Sequence, residues 1–277
     1  VAIKQRVEKQ IERGLDTYPG EVVRRFFELQ IIDKSFGLSA QAFIALLPML
    51  IVVISVVLKS NGEVVGEFII DRFALAGVSK QAVTALFATS TAVAAVSWLA
   101  IVVTVLSALS LARRLSGVFA SIFDAPKLPG RRIGRALLWI LVQMVMITGA
   151  AELRDLWRSD GIVLTVLAGV LLLVLWGFGD ALGLSLLVPS VPRGQLVAVG
   201  VLSGVGRVAL SSWAIFYMPR ALESEAVQYG AIGVTFALFT LILVAVVIML
   251  VAPLMVSTWV MRKNRSASSG GSHPQLG

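Results

Sequence analysis

Cysteine is absent from the 277 residues and histidine occurs once, at His273. Disulfides, thiolate chemistry and a histidine-built metal site are thereby excluded from the body of the chain. Charge is scarce as well: 14% of residues are Asp, Glu, Lys or Arg against 57% hydrophobic, and the mean hydropathy is +0.90. Neither GxxxxGK[ST] nor GxGxxG occurs, so no nucleotide phosphate site and no ATP-driven step by this chain alone is expected. Carboxylates do not cluster either. Asp33, Asp124 and Asp180 stand apart in sequence, whereas a metal-dependent nuclease or hydrolase needs several acids or histidines around its ions. The chain therefore reads as a non-enzyme without metal or cofactor.

What fills the sequence instead is hydrocarbon. A soluble domain carries about 45–50% apolar residues, and this chain exceeds that in runs long enough to cross a core of about 30 Å, which takes roughly 20 helical residues. Six runs qualify: Leu38 to Leu58, Thr91 to Leu111, Ile133 to Ala151, Ile162 to Val188, Leu196 to Tyr217 and Gly230 to Val256. They are continuous rather than alternating, which predicts helices and not a transmembrane barrel. The fold class expected is all-α: a polytopic membrane protein of six spans over 38–259. Residues 1–37 form an N-terminal and interfacial region ahead of it, and a disordered Ser/Gly-rich tail over 260–277 follows it.

The basic residues orient the bundle. Lys4, Arg6, Lys9, Arg13, Arg24, Arg25 and Lys34 precede span one; Arg113, Arg114, Lys127, Arg131, Arg132 and Arg135 separate spans two and three; Arg193, Arg262, Lys263 and Arg265 fall on the same side. The opposite side carries only Lys59, Arg72, Lys80, Arg154, Arg158 and Arg220. Positive charge marks the cytoplasmic side, so both termini are expected there, as an even number of spans requires. Val1 in place of Met points to a trimmed start, and no cleavable leader precedes span one, which is expected to direct insertion itself. The net charge of +8 follows topology rather than one module. The partners expected are membrane lipids, with anionic headgroups on the basic face, and not nucleic acid. A homo-oligomer is compatible with the sequence.

Two stretches outside the spans are amphipathic. In EVVRRFFELQII, Val22, Val23, Phe26, Phe27, Gln30 and Ile31 share one face, and Glu21, Arg24, Arg25 and Glu28 fill the other. GEVVGEFIIDRFALAG repeats the design on the other side of the membrane. Helices of this kind lie in the interface. Trp139, Trp157, Trp213 and Trp259 fall near span ends and read as interfacial anchors, Trp98 and Trp176 as packing.

The residues of greatest interest are the polar ones inside the spans. Asp180, in LWGFGDALG, is the one carboxylate deep in span four, and Arg207 the one cation inside span five. A charge near mid-membrane costs about 2.5–3.5 kcal/mol on insertion scales, so it faces the interior and finds a partner. The two spans are joined by a short turn, and a depth difference of about 5 Å is within an Arg side chain's reach. Gly179 with Gly183, and Gly200 with Gly204, form small-xxx-small pairs that would let these spans approach each other closely, or equally another span or another subunit. Two readings stay open: a satisfied pair that fixes helix register, or a polar cavity in which Arg207 attracts an anionic headgroup. Gln143 and Gln41 are further candidate cavity residues, and Pro48 is expected to kink span one.

The order of several motifs resembles the YihY or virulence factor BrkB family of six-span bacterial inner-membrane proteins. These are DKSFGLSAQAFIALLPML entering span one, RRLSGVFASIFDAP, VPSVPRGQLVAVGVLSGVGR, and QYGAIGVTFALFTLILVAVV, where Tyr229, Gly230 and Gly233 open span six and are expected to serve helix packing. The similarity covers roughly Tyr18 to Trp259. Span six departs from the pattern: the apolar MLVAPLMVSTWV stands where members carry an acidic segment, so no role is carried over for that acid. The resemblance implies an inner-membrane location and the movement or organisation of a lipid or another amphipathic envelope molecule. A ribonuclease label once attached to the family finds no carboxylate cluster here. A transporter or flippase-like carrier is one expectation, a non-transporting scaffold recruiting partners on the basic face the other.

Overall fold

The computed structural model describes residues 17–53, 70, 76–88, 98–126, 133–157 and 162–270. Among them every regular element longer than a turn is helical. The helices are α1 (Tyr18–Glu28), α2 (Ile31–Val53), α3 (Gly77–Ala88), α4 (Trp98–Ile122), α5 (Ile133–Trp157), α6 (Ile162–Leu187), α7 (Arg193–Tyr229) and α8 (Ala231–Gly270). Four are long and apolar enough to cross a membrane, through Val105–Ile122, Val163–Leu187, Arg193–Tyr229 and Ala231–Ala267. In α5 the apolar stretch is shorter, Ile133–Ile147. The amphipathic segment expected after span one lies outside the described residues save Ile70, Ala76 and Gly77, and so does 271–277. Pro48 lies within α2, but its side chain is outside what is described.

Neighbours in sequence pack as neighbours in space. α6 packs most heavily on α7, α7 on α8, α5 on α6, and α2 bridges α4 and α8, whereas α4 touches α5 much more lightly. Phe239 of α8 holds α2 through Phe36 and Phe43, with ring centroids 6.4 and 6.0 Å away. The tightest seam, between α6 and α7, has no room for side chains. A Cβ built on Gly177 would sit 2.7 Å from the Gly200 carbonyl oxygen, and one on Gly204 2.6 Å from that of Leu173. Gly200 also abuts Ala181, so the motif is Gly177-x3-Ala181 against Gly200-x3-Gly204. The expected Gly179 and Gly183 pair does not belong to this seam. These two face α5, where Met146 lies against Gly179 and Trp139 against Gly183. At 100° per residue, positions 177 and 181 lie on a different face from 179 and 183, and each face has its own partner.

Several helices outrun the expected spans. α7 continues from Tyr217 to Tyr229 because RALESEAVQY is made of good helix formers and Pro219 does not stop it. Gly230, at φ +60° and ψ −136°, a conformation open to glycine alone, then reverses the chain into α8. Gly233 packs against the backbone of Glu225, while Tyr229, expected to pack, is 62% exposed. The turn at Gly230 leaves the Tyr229 ring outside the α7 and α8 contact. α3 lies on this far extension, where Val83 and Ile70 join Met218, Leu222, Ala226 and Val234 in a small core. α8 continues to Gly270, so the expected disordered tail is helical up to that residue.

The basic end is closed by α1, in a way its amphipathic pattern misrepresents. Glu21 and Arg25, read as solvent-facing, are buried, and Val23 and Phe27 are exposed. The cause is the group of helix ends beneath them. Arg25 donates from Nη1 to Ser257 and Thr258 of α8 and from Nη2 to the Ile122 carbonyl, the last of α4. A cation there meets the negative end of the helix dipole. Glu21 takes Arg265 at 2.8 Å, and the Tyr18 hydroxyl donates to the Met255 carbonyl. Lys34 donates to Ser121 across α2 and α4, and partial burial pushes its ammonium below the usual lysine range.

The α6 and α7 seam generates a stability test. Gly177→Ala or Gly200→Ala is expected to destabilise by about 1–3 kcal/mol, because a methyl group must displace backbone. Gly169→Ala, in open space on the same helix, is expected to be neutral or to stabilise by up to about 1 kcal/mol. Thermal unfolding of the three variants in one detergent decides it. Equal melting temperatures would show that the close approach does not matter.

Candidate functional site

Asp180 and Arg207 meet inside the bundle. Arg207 donates from Nε to Asp180 Oδ2 at 2.8 Å and from Nη2 to Oδ1 at 3.0 Å, the two-pronged geometry in which guanidinium and carboxylate bind most strongly. The side chains are 15% and 8% exposed. Trp176, one turn before Asp180 on α6, supplies a third contact: the guanidinium carbon lies 4.5 Å from its ring centroid. Local sequence dictates this arrangement. Gly177 and Ala181 bring α7 close on one side of Asp180, Gly179 and Gly183 bring α5 close on another, and the carboxylate is left facing the space between.

That space is small. A cavity of about 10 Å³, the size one water needs, is lined by Asp180 and Leu184 of α6, Trp139 and Gln143 of α5, Val199 and Ser203 of α7, and residues of α4 and α8. Ser203 is 1% exposed, and among the described residues neither its hydroxyl nor the Gln143 amide makes a hydrogen bond. Two unused polar groups thus converge on a carboxylate already committed to Arg207. Pro253 and Met249 of α8 close the cavity, and a proline at this position frees the carbonyl four residues earlier, that of Met249.

A second space adjoins the first. An apolar groove of about 300 Å³ runs between α2, α4 and α5, and Trp139 and Gln143 line it as well as the inner cavity. Its rim residues Val105, Leu137 and Ile147 are exposed. Trp139, expected as an interfacial anchor, is instead buried to 9% exposure. Gly183 is the reason, since the indole fits the hollow left by its missing side chain. Trp213 and Trp259 are 40% and 53% exposed, while the side chains of Trp98 and Trp157 lie outside the described set.

The four candidate cavity residues do not form one site. Asp180, Arg207 and Gln143 are neighbours; Gln41 lies apart, on the opposite face of the α2 and α4 pair, where it donates to Ser110 at 2.6 Å. Trp176, Trp139 and Ser203 were missed by sequence reasoning. Trp176 was within reach, because an aromatic ring one turn from a buried acid shares its face; Ser203 carried no signal beyond lying one turn from Arg207. No cluster of His, Cys, Asp or Glu able to hold a metal occurs among the described residues. The chain matches no family model, no curated protein and no solved structure.

Breaking the pair tests its weight. Asp180→Asn strands the guanidinium in a low-dielectric interior and is expected to cost about 3–5 kcal/mol, whereas Asp180→Leu with Arg207→Met removes both charges and should recover most of that loss. A double-mutant cycle read by denaturant unfolding measures the coupling. Additive effects would mean that the two side chains do not depend on each other.

Proposed function

We propose that the chain is a bacterial inner-membrane carrier of an amphipathic anion, a lipid or lipid-linked envelope molecule. Its six membrane-spanning helices would have both termini on the basic, cytoplasmic side, in keeping with the resemblance to the YihY/BrkB family. The observation that carries this reading is the shared wall. An apolar groove of about 300 Å³, at the lower end of the size of ligand sites, shares Trp139 and Gln143 with the inner cavity that Asp180 lines. Apolar tails would lie in the groove and a headgroup would reach the polar interior when α4 and α5 separate. Among the described residues that contact is lighter than those of α5 with α6, α6 with α7 and α7 with α8. No catalytic step is part of the reading.

One observation favours the second reading, a scaffold that moves nothing. Arg207 holds both oxygens of Asp180, and the cavity beside them has the room of about one water. A pair in that state fixes register without meeting a substrate.

The two readings separate in proteoliposomes. The chain has no native cysteine, so cysteines at Ala108 and Met144, on opposite walls of the groove, can be joined by a bifunctional reagent. A carrier is expected to move fluorescent anionic lipid between leaflets, and cross-linking should slow that movement at least about tenfold, the equivalent of about 1.4 kcal/mol. A protein-independent rate, or one that cross-linking leaves unchanged, would decide for the scaffold.

A further inference from the structure

On the other side of the α2 and α4 pair lies a groove of about 480 Å³ that the charge pair does not use. Its chemistry changes along its length. At the basic end stands Arg114, whose Nη1 donates to the Gly37 carbonyl at 3.2 Å and to Gln41 Oε1 at 3.5 Å. Gln41 in turn donates to Ser110, with Ser107 one turn further on. Two turns from Arg114, about 12 Å along the helix, the walls are Ile44 and Leu106, 68% and 59% exposed. Arg114 makes no ion pair among the described residues, unlike Arg24, Arg207 and Arg265. Among the described residues its guanidinium is therefore positioned by two neutral acceptors and meets no carboxylate. The tether engages one nitrogen, and no hydrogen bond is made by the other two among the described residues.

We propose that this groove binds one anionic phospholipid, its phosphate on Arg114 and Ser110 and the start of an acyl chain along Ile44 and Leu106. A guanidinium recognises phosphate through paired N–H donors, which a lysine cannot supply in the same geometry. The polar-to-apolar run follows the order of phosphate and chain in a bilayer leaflet, and the surrounding basic end of the bundle attracts anionic headgroups. A free anion would use only the Arg114 end and leave the apolar half unoccupied. The site stands independently of transport: a lipid held here could be a fixed structural partner of the α2 and α4 pair.

Native mass spectrometry of the full chain in detergent tests it, with phosphatidylglycerol, phosphatidylcholine and inorganic phosphate as three separate ligands. One phosphatidylglycerol is expected to remain bound, several-fold more tightly than phosphatidylcholine, whose choline offsets the phosphate. Arg114→Gln should weaken that binding about tenfold, in line with the loss of one charge-assisted hydrogen-bonded contact. Arg113→Gln removes the same charge from the exposed neighbouring residue, which does not line the groove, and should weaken binding less than about twofold. Ser107→Phe fills the groove without touching charge and should displace the lipid even if Arg114→Gln fails to fold. Equal losses at Arg113 and Arg114, unchanged binding with Ser107→Phe, or displacement of the lipid by millimolar inorganic phosphate would each overturn the proposal.

Discussion

A carboxylate and a guanidinium inside an apolar helix bundle can neither be hydrated nor left alone, and that constraint organises the middle of this molecule. Desolvating each charge is expensive, and only a short, doubly hydrogen-bonded contact recovers the cost. Asp180 and Arg207 make that contact. It requires α6 and α7 to lie closer than side chains would allow, so Gly177, Ala181, Gly200 and Gly204 fill the seam. It also requires something to shield the charges on the third side. Trp139 does this by seating its indole against Gly183, and Met146 by lying against Gly179. The glycines around Asp180 therefore serve two different neighbours, and the acid faces the space left between them.

From this centre the molecule loosens outward. α5, α6, α7 and α8 form a continuous series of close contacts, while α4 and α5 touch lightly and leave an apolar groove between them. Packing in an apolar solvent rests on shape and on hydrogen bonds rather than on expulsion of water. The lightly packed α4 and α5 seam is therefore more easily parted than the others. The basic end is held differently: Arg25 and Ser116 donate to the last carbonyls of α4 and α6, at Ile122 and Leu187. Terminal carbonyls have no partners within their own helices, so a bundle end closed by side chains stays rigid while its lateral seam need not.

Much of this was legible in the residues. Apolar runs predicted helices, four of which meet the length and composition needed to span a bilayer, and the isolation of Asp180 and Arg207 predicted that each needed the other. Periodicity failed where a helix has more than one neighbour. Spacing left Gly179 and Gly183 free to meet α7 or another span, and only the rotation of α6 turns them to α5. Reading Glu21 and Arg25 as a solvated face assumed that α1 lay on a surface with nothing polar beneath it. Arg114 was counted as topological charge, since nothing in its own segment distinguishes it from Arg113.

By itself the sequence determined the solvent, the helical class and the need for an internal ion pair. Those follow from transfer free energies that depend on residue type and run length alone. Tertiary structure decided which glycine meets which helix, that Trp139 turns inward, and that Gln143 borders two spaces while Gln41 borders another. Those depend on the rotation of each helix about its axis, which is set by every neighbour at once and is written in no single segment.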